Sequence, residues 1–379
     1  MKRLRFAFPL ALALAGATAA SAGAAQSSAA AGHLYVNDNT AGVNTIAAFD
    51  RHADGTLTPV AGSPFATGGG GTGKGIGSQG ALQVSPDGKY LLAVDAGSGQ
   101  ISVLRIKPDG GLGGVGGGTV SSGGNEPVSV AIHGSLVYVA NAGEGANNYT
   151  GFTLNSGGHL TPLAGSTITL PKGSNPGEVL FNGTGTNLVG ARINTSLIDS
   201  FAVGADGRLT AAPSSPFAAQ GPGPFGSEFR PTDPSQLFVS NAHGGSGAGT
   251  VSAFNVTGDG TLSSIGSSPF ADKETAPCWV EITHDGSFLF TVNTGSNSIS
   301  RYRIATDGSL ELLGSTPFNA EHVGAEDARL GPGGGTLWVV ETGARSVAGF
   351  SVAGGSLSEL ASSPTPLPTG SAPFGIVVD

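Results

Sequence analysis

The stretch that decides the fold runs PCWVEITHDG (277–286), SFLFTVNTGSNS (287–298), ISRYRIATDG (299–308) and SLELLGSTPF (309–318). Val280 and Ile282 alternate with polar neighbours, the period-two pattern of a half-buried strand. His284-Asp285-Gly286 is a tight turn, because glycine supplies the positive φ that other residues resist. Ser287 to Val292 is a second strand, rich in Phe and β-branched residues. A polar loop (293–297) precedes a third strand marked by Ile299, Tyr302 and Ile304. Asp307-Gly308 is a hairpin turn, and Ser309 to Leu313 closes a four-stranded meander. One such sheet cannot bury both faces by itself.

The unit is repeated along the chain. The hairpin turn recurs at Asp54-Gly55, Asp109-Gly110, Gly157-Gly158, Asp206-Gly207, Asp259-Gly260, Asp307-Gly308 and Gly354-Gly355, each followed two residues later by Leu. The second glycines step by 55, 48, 49, 53, 48 and 47 residues. The second strand ends at Asn37, Asp95, Asn141, Ala191, Asn241, Asn293 and Glu341. Seven four-stranded units at this spacing predict an all-β, seven-bladed β-propeller. First strands begin at Gln79, Pro127, Pro176, Pro224, Pro277, Ala325 and Pro373. The first copy lacks an inner strand and the last copy has nothing else, so Phe374 to Val378 should complete the blade begun at His33. That closure removes two open sheet edges.

The domain plan is a leader (1–24), a short linker (25–32) and one propeller (33–379). Lys2, Arg3 and Arg5 precede an apolar run too short to span a bilayer, and small residues at 20–24 offer a cleavage site; this is the pattern of a secretory signal peptide. The expectation is a secreted protein, with no later transmembrane segment. Of 17 basic and 26 acidic side chains, three basic ones lie in the leader, so the remainder carries −12. An acidic, charge-poor surface argues against nucleic acid and anionic lipid as partners. Cys278 is the lone cysteine, so no intrachain disulfide forms. The 65 glycines suit the many turns of such a ring. Ser-Pro-Phe at 63–65, 215–217 and 268–270 reads as an anchor between blades.

The region from about 33 to 379 resembles the lactonase family of seven-bladed propellers, which includes propeller-type 6-phosphogluconolactonases and fungal carboxymuconate-lactonizing enzymes. The resemblance rests on Ser85-Pro86-Asp87-Gly88 with Tyr90-Leu91-Leu92, on Phe290-Thr291-Val292-Asn293 before Ser298-Ile299-Ser300, and on the recurrent Asp-Gly-x-Leu. Tyr138-Val139-Ala140-Asn141 is similar to the YVTN repeats of surface propellers. The resemblance implies lactone chemistry by Arg, His and Glu groups. The family's Pro-Arg-His, Asn-Glu-Leu and Asn-Arg-Gly segments are replaced here by Pro176-Gly177-Glu178, Ala191-Arg192-Ile193 and Asn293-Thr294-Gly295.

Ligands of propellers sit at the channel mouth, among first-strand starts and second-strand loops. The polar positions there are Gln83, Ser129, Glu178, Glu228, Trp279, Glu281, Asp327 and Arg329. Glu178, Arg192, Glu281, Asp327 and Arg329 are candidate catalytic groups, and Glu228, Trp279 and His243 candidate ligand contacts. The competing reading is a water-filled channel whose charges only pair with one another. Seven scattered histidines, at 33, 52, 133, 159, 243, 284 and 322, show no metal-ligand spacing, so neither metal nor cofactor is implied. The stretch GGGGTGKG (68–75) imitates a phosphate loop but carries Gly75 where magnesium needs Ser or Thr, and it lies between strands. It should instead cover the channel mouth. No nucleophile elbow occurs, and Cys278 should be packed rather than reactive. Two functions remain open: a monomeric lactone hydrolase or cyclase relative working on a small-molecule lactone, and a non-enzymatic propeller binding an extracellular glycan or protein.

Overall fold

The computed structural model describes residues 1, 29–145, 147–320 and 323–379. The leader and His322 lie outside the described residues. Those described form no helix, and their strands make seven antiparallel sheets. Blade 6 is the quoted stretch: Pro277–Ile282, Phe288–Asn293, Ser298–Ile304 and Leu310–Pro317 pair in that order. The inner strands of blades 2 to 7 are Leu82–Val84, Pro127–His133, Pro176–Phe181, Pro224–Arg230, Pro277–Ile282 and Ala325–Leu330. Blade 1 takes its inner strand from the other end of the chain: Leu34, Tyr35 and Val36 pair with Val378, Val377 and Ile376. The ring is closed by both termini, as the incomplete copies predict.

Each blade buries its faces on its neighbours. Leu34, Val36 and Phe49 of blade 1 pack with Trp338, Val340 and Val347 of blade 7, while Tyr35, Ile46 and Ala48 pack with Leu82, Leu91 and Leu104 of blade 2. At about 1.5–3 kcal/mol for each large apolar side chain removed from water, these interfaces carry the fold. The hairpin glycines lock neighbours together. Gly110 has φ +75°, and a β-carbon there would lie 2.1 Å from the His33 ring. Tyr35 Oη donates to the Gly110 carbonyl at 3.0 Å, binding blade 1 to blade 2.

Two local readings differ from the structure. The outer strand is broken in five blades, for example into Leu57–Pro59 and Phe65–Gly71, and in all of these but blade 3 a Ser-Pro pair sits at the break. Ser63, Ser215, Ser268 and Ser363 each accept a backbone N–H from the third strand through Oγ, at 2.7–3.1 Å. Those serines, each before a cis proline, tie down the break, while Phe65, Phe217 and Phe270, half-buried, pack against the apolar clusters that neighbouring blades share, as the anchor reading expects. In blade 4 the second strand ends at Arg192, not Ala191: Arg192 pairs with Leu197 as Asn293 pairs with Ser298.

Candidate functional site in the central channel

Strand register stacks the inward residues in two tiers. Three residues before the end of each second strand lies a rung that places Gln83 opposite Leu92, Glu228 opposite Phe238, Glu281 opposite Phe290 and Arg329 opposite Trp338. This is the lower tier, toward the end of each inner strand. Two residues nearer the strand starts lies the upper tier, with Ser129, Glu178, Trp279 and Asp327.

The upper tier is closed. Ser78, Gln79 and Gly80, the lead-in to blade 2, cross the channel and are buried. Gln79 Nε2 donates to the carbonyls of Ser227 (3.0 Å) and Val280 (3.2 Å), and its Oε1 accepts the Val280 N–H at 3.0 Å. Trp279 Nε1 donates to the Ser78 carbonyl at 2.7 Å, and Gly80 N donates to Asp327 Oδ2 at 3.3 Å. Gly226 makes room, since a β-carbon there would lie 2.1 Å from Gln79 Oε1. Trp279, packed edge-on against Phe225 at 5.3 Å and 2 % exposed, therefore clamps the plug. Covering of this mouth is an expectation the structure moves along the chain. Gly68 to Gly71 belong to the outer strand of blade 1, Lys74 is exposed, and residues 78–80 do the closing.

The lower tier reaches water. Gln83, Leu180, Glu228, Arg329 and Val378 are all partly exposed, whereas every upper-tier side chain is buried. Arg329 Nη1 lies 3.2 Å from Glu281 Oε2 and 4.0 Å from Glu228 Oε2. Glu281 Oε1 also accepts the Leu330 N–H at 2.9 Å. Glu178 accepts both the N–H and the hydroxyl of Ser227 at 2.5 Å, which ties blade 4 to blade 5. Glu228 and Gln83 differ from these. Neither side chain has a hydrogen bond within the described protein, although both border the solvated channel.

Burial and mutual repulsion make the cluster hold protons. Burial, the Glu281 charge and the Asp327 charge push Glu228 up to about 8 against the pull of Arg329. Burial raises Asp327 to about 6, with Arg329 and the Gly80 N–H opposing. Burial lifts Glu178 well above the usual range and also raises Glu281, which Arg329 holds back. Burial works against the charge of Arg329, but Glu281, Asp327 and Glu228 outweigh it and keep the guanidinium protonated. Among the described residues no group of three His, Cys, Asp or Glu side chains is arranged to hold a metal ion.

Two candidates stand elsewhere. Arg192 turns away from the channel into the contact between blades 3 and 4, where Nε donates to Asp199 Oδ2 at 2.6 Å and Nη2 to Oδ1. Tyr149 Oη completes that triad at 3.0 Å. His243 is exposed on the upper surface, beyond the plug. Cys278 is buried, which raises its thiol to about 12, so it is packed and unreactive. Sequence reasoning missed the plug, because Gln79 resembles an ordinary strand start and its partners lie 148 and 201 residues away.

The family described as Lactonase, 7-bladed beta-propeller matches residues 28–174 and 229–374. The unmatched stretch between them is blade 4 with the start of blade 5, where Glu178 and the Arg192–Asp199 pair reside. No curated protein matches the chain in sequence. Among solved structures, a proposed 6-phosphogluconolactonase from Bacteroides uniformis superposes with TM-score 0.72 at 18% identity, over 91% of this chain and 98% of that one. The Pseudomonas aeruginosa periplasmic gluconolactonase PpgL gives TM-score 0.71 at 16% identity, with the same coverages. Identities this low establish the shared propeller alone.

Proposed function

The chain belongs to the lactonase family of seven-bladed β-propellers, and on that footing we propose that it opens a lactone ring in the lower half of its channel. The observation that carries the reading is Glu228: a carboxyl without a hydrogen-bond partner, bordering solvent, 4.0 Å from Arg329 and shifted to about 8. At neutral pH it is a proton donor. Glu281, whose charged form the adjacent Arg329 favours against burial, is the matching base. Glu281 takes a proton from water as its oxygen bonds to the lactone carbonyl carbon. The remaining N–H groups of Arg329 hold the oxyanion. The ring C–O bond then breaks, and Glu228 gives its proton to the departing alkoxide. The product is a hydroxy acid, whose proton goes to solvent; Glu281 then gives up the proton it took and Glu228 regains one, through solvent, which resets the pair. The leader supports export, and the protein is read as a monomer needing no cofactor.

Acid release at constant pH from a lactone panel tests this. The full chain should turn over at least one lactone, and Glu228→Gln should lower kcat about 100-fold or more. Turnover unaffected by that change would overturn the assignment.

The plug favours a second reading. It closes the mouth where propeller ligands ordinarily enter, so a non-enzymatic propeller would present its surface to an extracellular glycan or protein. A folded protein inert toward every lactone would favour that reading.

A further inference from the structure

The channel holds one guanidinium for four carboxyls, Glu228 and Glu281 in the lower tier and Glu178 and Asp327 in the closed tier above it. Glu178, Glu228, Glu281 and Asp327 surround Arg329, and Arg329 is already engaged by Glu281 at 3.2 Å. The nearby arginines are committed elsewhere. Arg230, two residues after Glu228, donates to the carbonyls of Gly286 and Ala305 and to Gln236, each at 2.9 Å. Arg192 is held by Asp199. His284 follows the Glu281 strand, but on its turn it is exposed to solvent. No guanidinium or ammonium among the described residues is left free to face a second anionic group inside the channel. What is left free is neutral or protonated: the amide of Gln83, which offers two N–H donors and a carbonyl, and the carboxyl of Glu228.

Resting on the lactone reading above, we propose that this site selects uncharged, hydroxyl-bearing lactones and rejects phosphorylated or otherwise anionic ones, with Asp327 and Gln83 as specificity-determining residues. A hydroxyl can both donate to Glu228 and accept from Gln83, so a polyhydroxylated ring satisfies both. A phosphate dianion in the lower tier would face Glu281, with the buried Asp327 behind it, in a low-dielectric channel where like charges repel far more than in water. The plug removes the remaining escape, because Gln79 prevents a long substrate from projecting its charged end through the upper mouth.

The test compares glucono-1,5-lactone with its 6-phosphate at pH 7, following acid release by the full chain and subtracting spontaneous opening. The kcat/KM for the phosphate should be about tenfold lower or more, and inorganic phosphate should not inhibit opening of the neutral lactone. Raising the salt concentration should narrow the gap, which needs no variant. Asp327→Asn should narrow it further, and Gln83→Leu should raise KM for the neutral lactone more than it lowers kcat. Equal or better use of the phosphate overturns the selectivity and leaves the hydrolase standing. Failure to open either lactone, from protein with an intact thermal transition, overturns the hydrolase reading and this inference with it.

Discussion

Gln79 and Val280 stand 201 residues apart in the chain and share two hydrogen bonds across the channel, Nε2 to O at 3.2 Å and N to Oε1 at 3.0 Å. A side-chain amide here mimics a neighbouring strand, pairing with an inner-strand edge that no other strand covers. That single contact joins blade 2 to blade 6 and closes one end of the ring.

Replacing Gln79 with Ala should therefore destabilise the whole propeller. It leaves the Val280 N–H and the Ser227 and Val280 carbonyls unpaired, at a net cost of about 1 kcal/mol each, and adds a cavity. A loss of about 2–4 kcal/mol should appear as a lower denaturant midpoint at constant slope. Gly226→Ala should act in the same direction by displacing the Gln79 amide. The double variant should cost less than the two single changes added together, because both break one contact. Strict additivity would mean that Gly226 does not serve the plug.

The Arg192–Asp199 pair should be structural. Arg192→Ala leaves a buried carboxylate uncompensated and should cost about 3–5 kcal/mol. Arg192→Leu with Asp199→Leu should recover much of that loss. Any lactone turnover should persist in the double variant. Its disappearance from folded protein would return Arg192 to the active groups.

Stability should fall as pH rises from 5 to 8. Asp38, Asp327 and Glu228 titrate near 4 when unfolded, but burial raises them to about 7, 6 and 8 in the folded chain. Between those limits the native state binds more protons than the unfolded state, so each step up in pH favours unfolding. The turn aspartates act oppositely: Asp87, held at about 2 by its bonds to Ser85 and Lys89, loses its stabilising effect only below about 4. The melting temperature should be lower at pH 8 than at pH 5 by about 5 °C or more. A melting temperature that rises over this interval would show that these carboxyls are not held protonated.

Removing residues 373–379 should abolish the cooperative transition. Ile376, Val377 and Val378 supply the whole inner strand of blade 1, and Ile376 is fully buried. A truncated chain that melts as sharply as the full one would be incompatible with closure by both termini.

The ring was legible because its punctuation is local. All seven hairpin glycines have positive φ, and sequence spacing alone finds them. The polar end of the second strand was harder. In blade 4 it is an arginine where other blades carry Asn, Asp or Glu, and Ala191 looked equally placed. The third strand held the clue, since Asp199 occupies the position from which Ser102 bonds Asp95 at 2.6 Å and Ser252 bonds Asn241 at 2.8 Å. The carboxylates and Arg329 near the axis were visible from strand alternation. Which of them remained unengaged was not, because that depends on contacts between blades: Ser227 engages Glu178, and Leu330 engages Glu281. The plug was beyond any local pattern for the same reason.

The most direct measurement of the central claim is the pH dependence of kcat/KM for lactone opening in the native chain and in Glu228→Gln. The native profile should lose activity along a basic limb with an apparent pKa near 8, as Glu228 gives up the proton it donates to the leaving oxygen. The variant should keep low residual turnover with that limb absent. A native profile flat through pH 8, or a variant that retains the limb, would contradict the assignment of Glu228 as the acid.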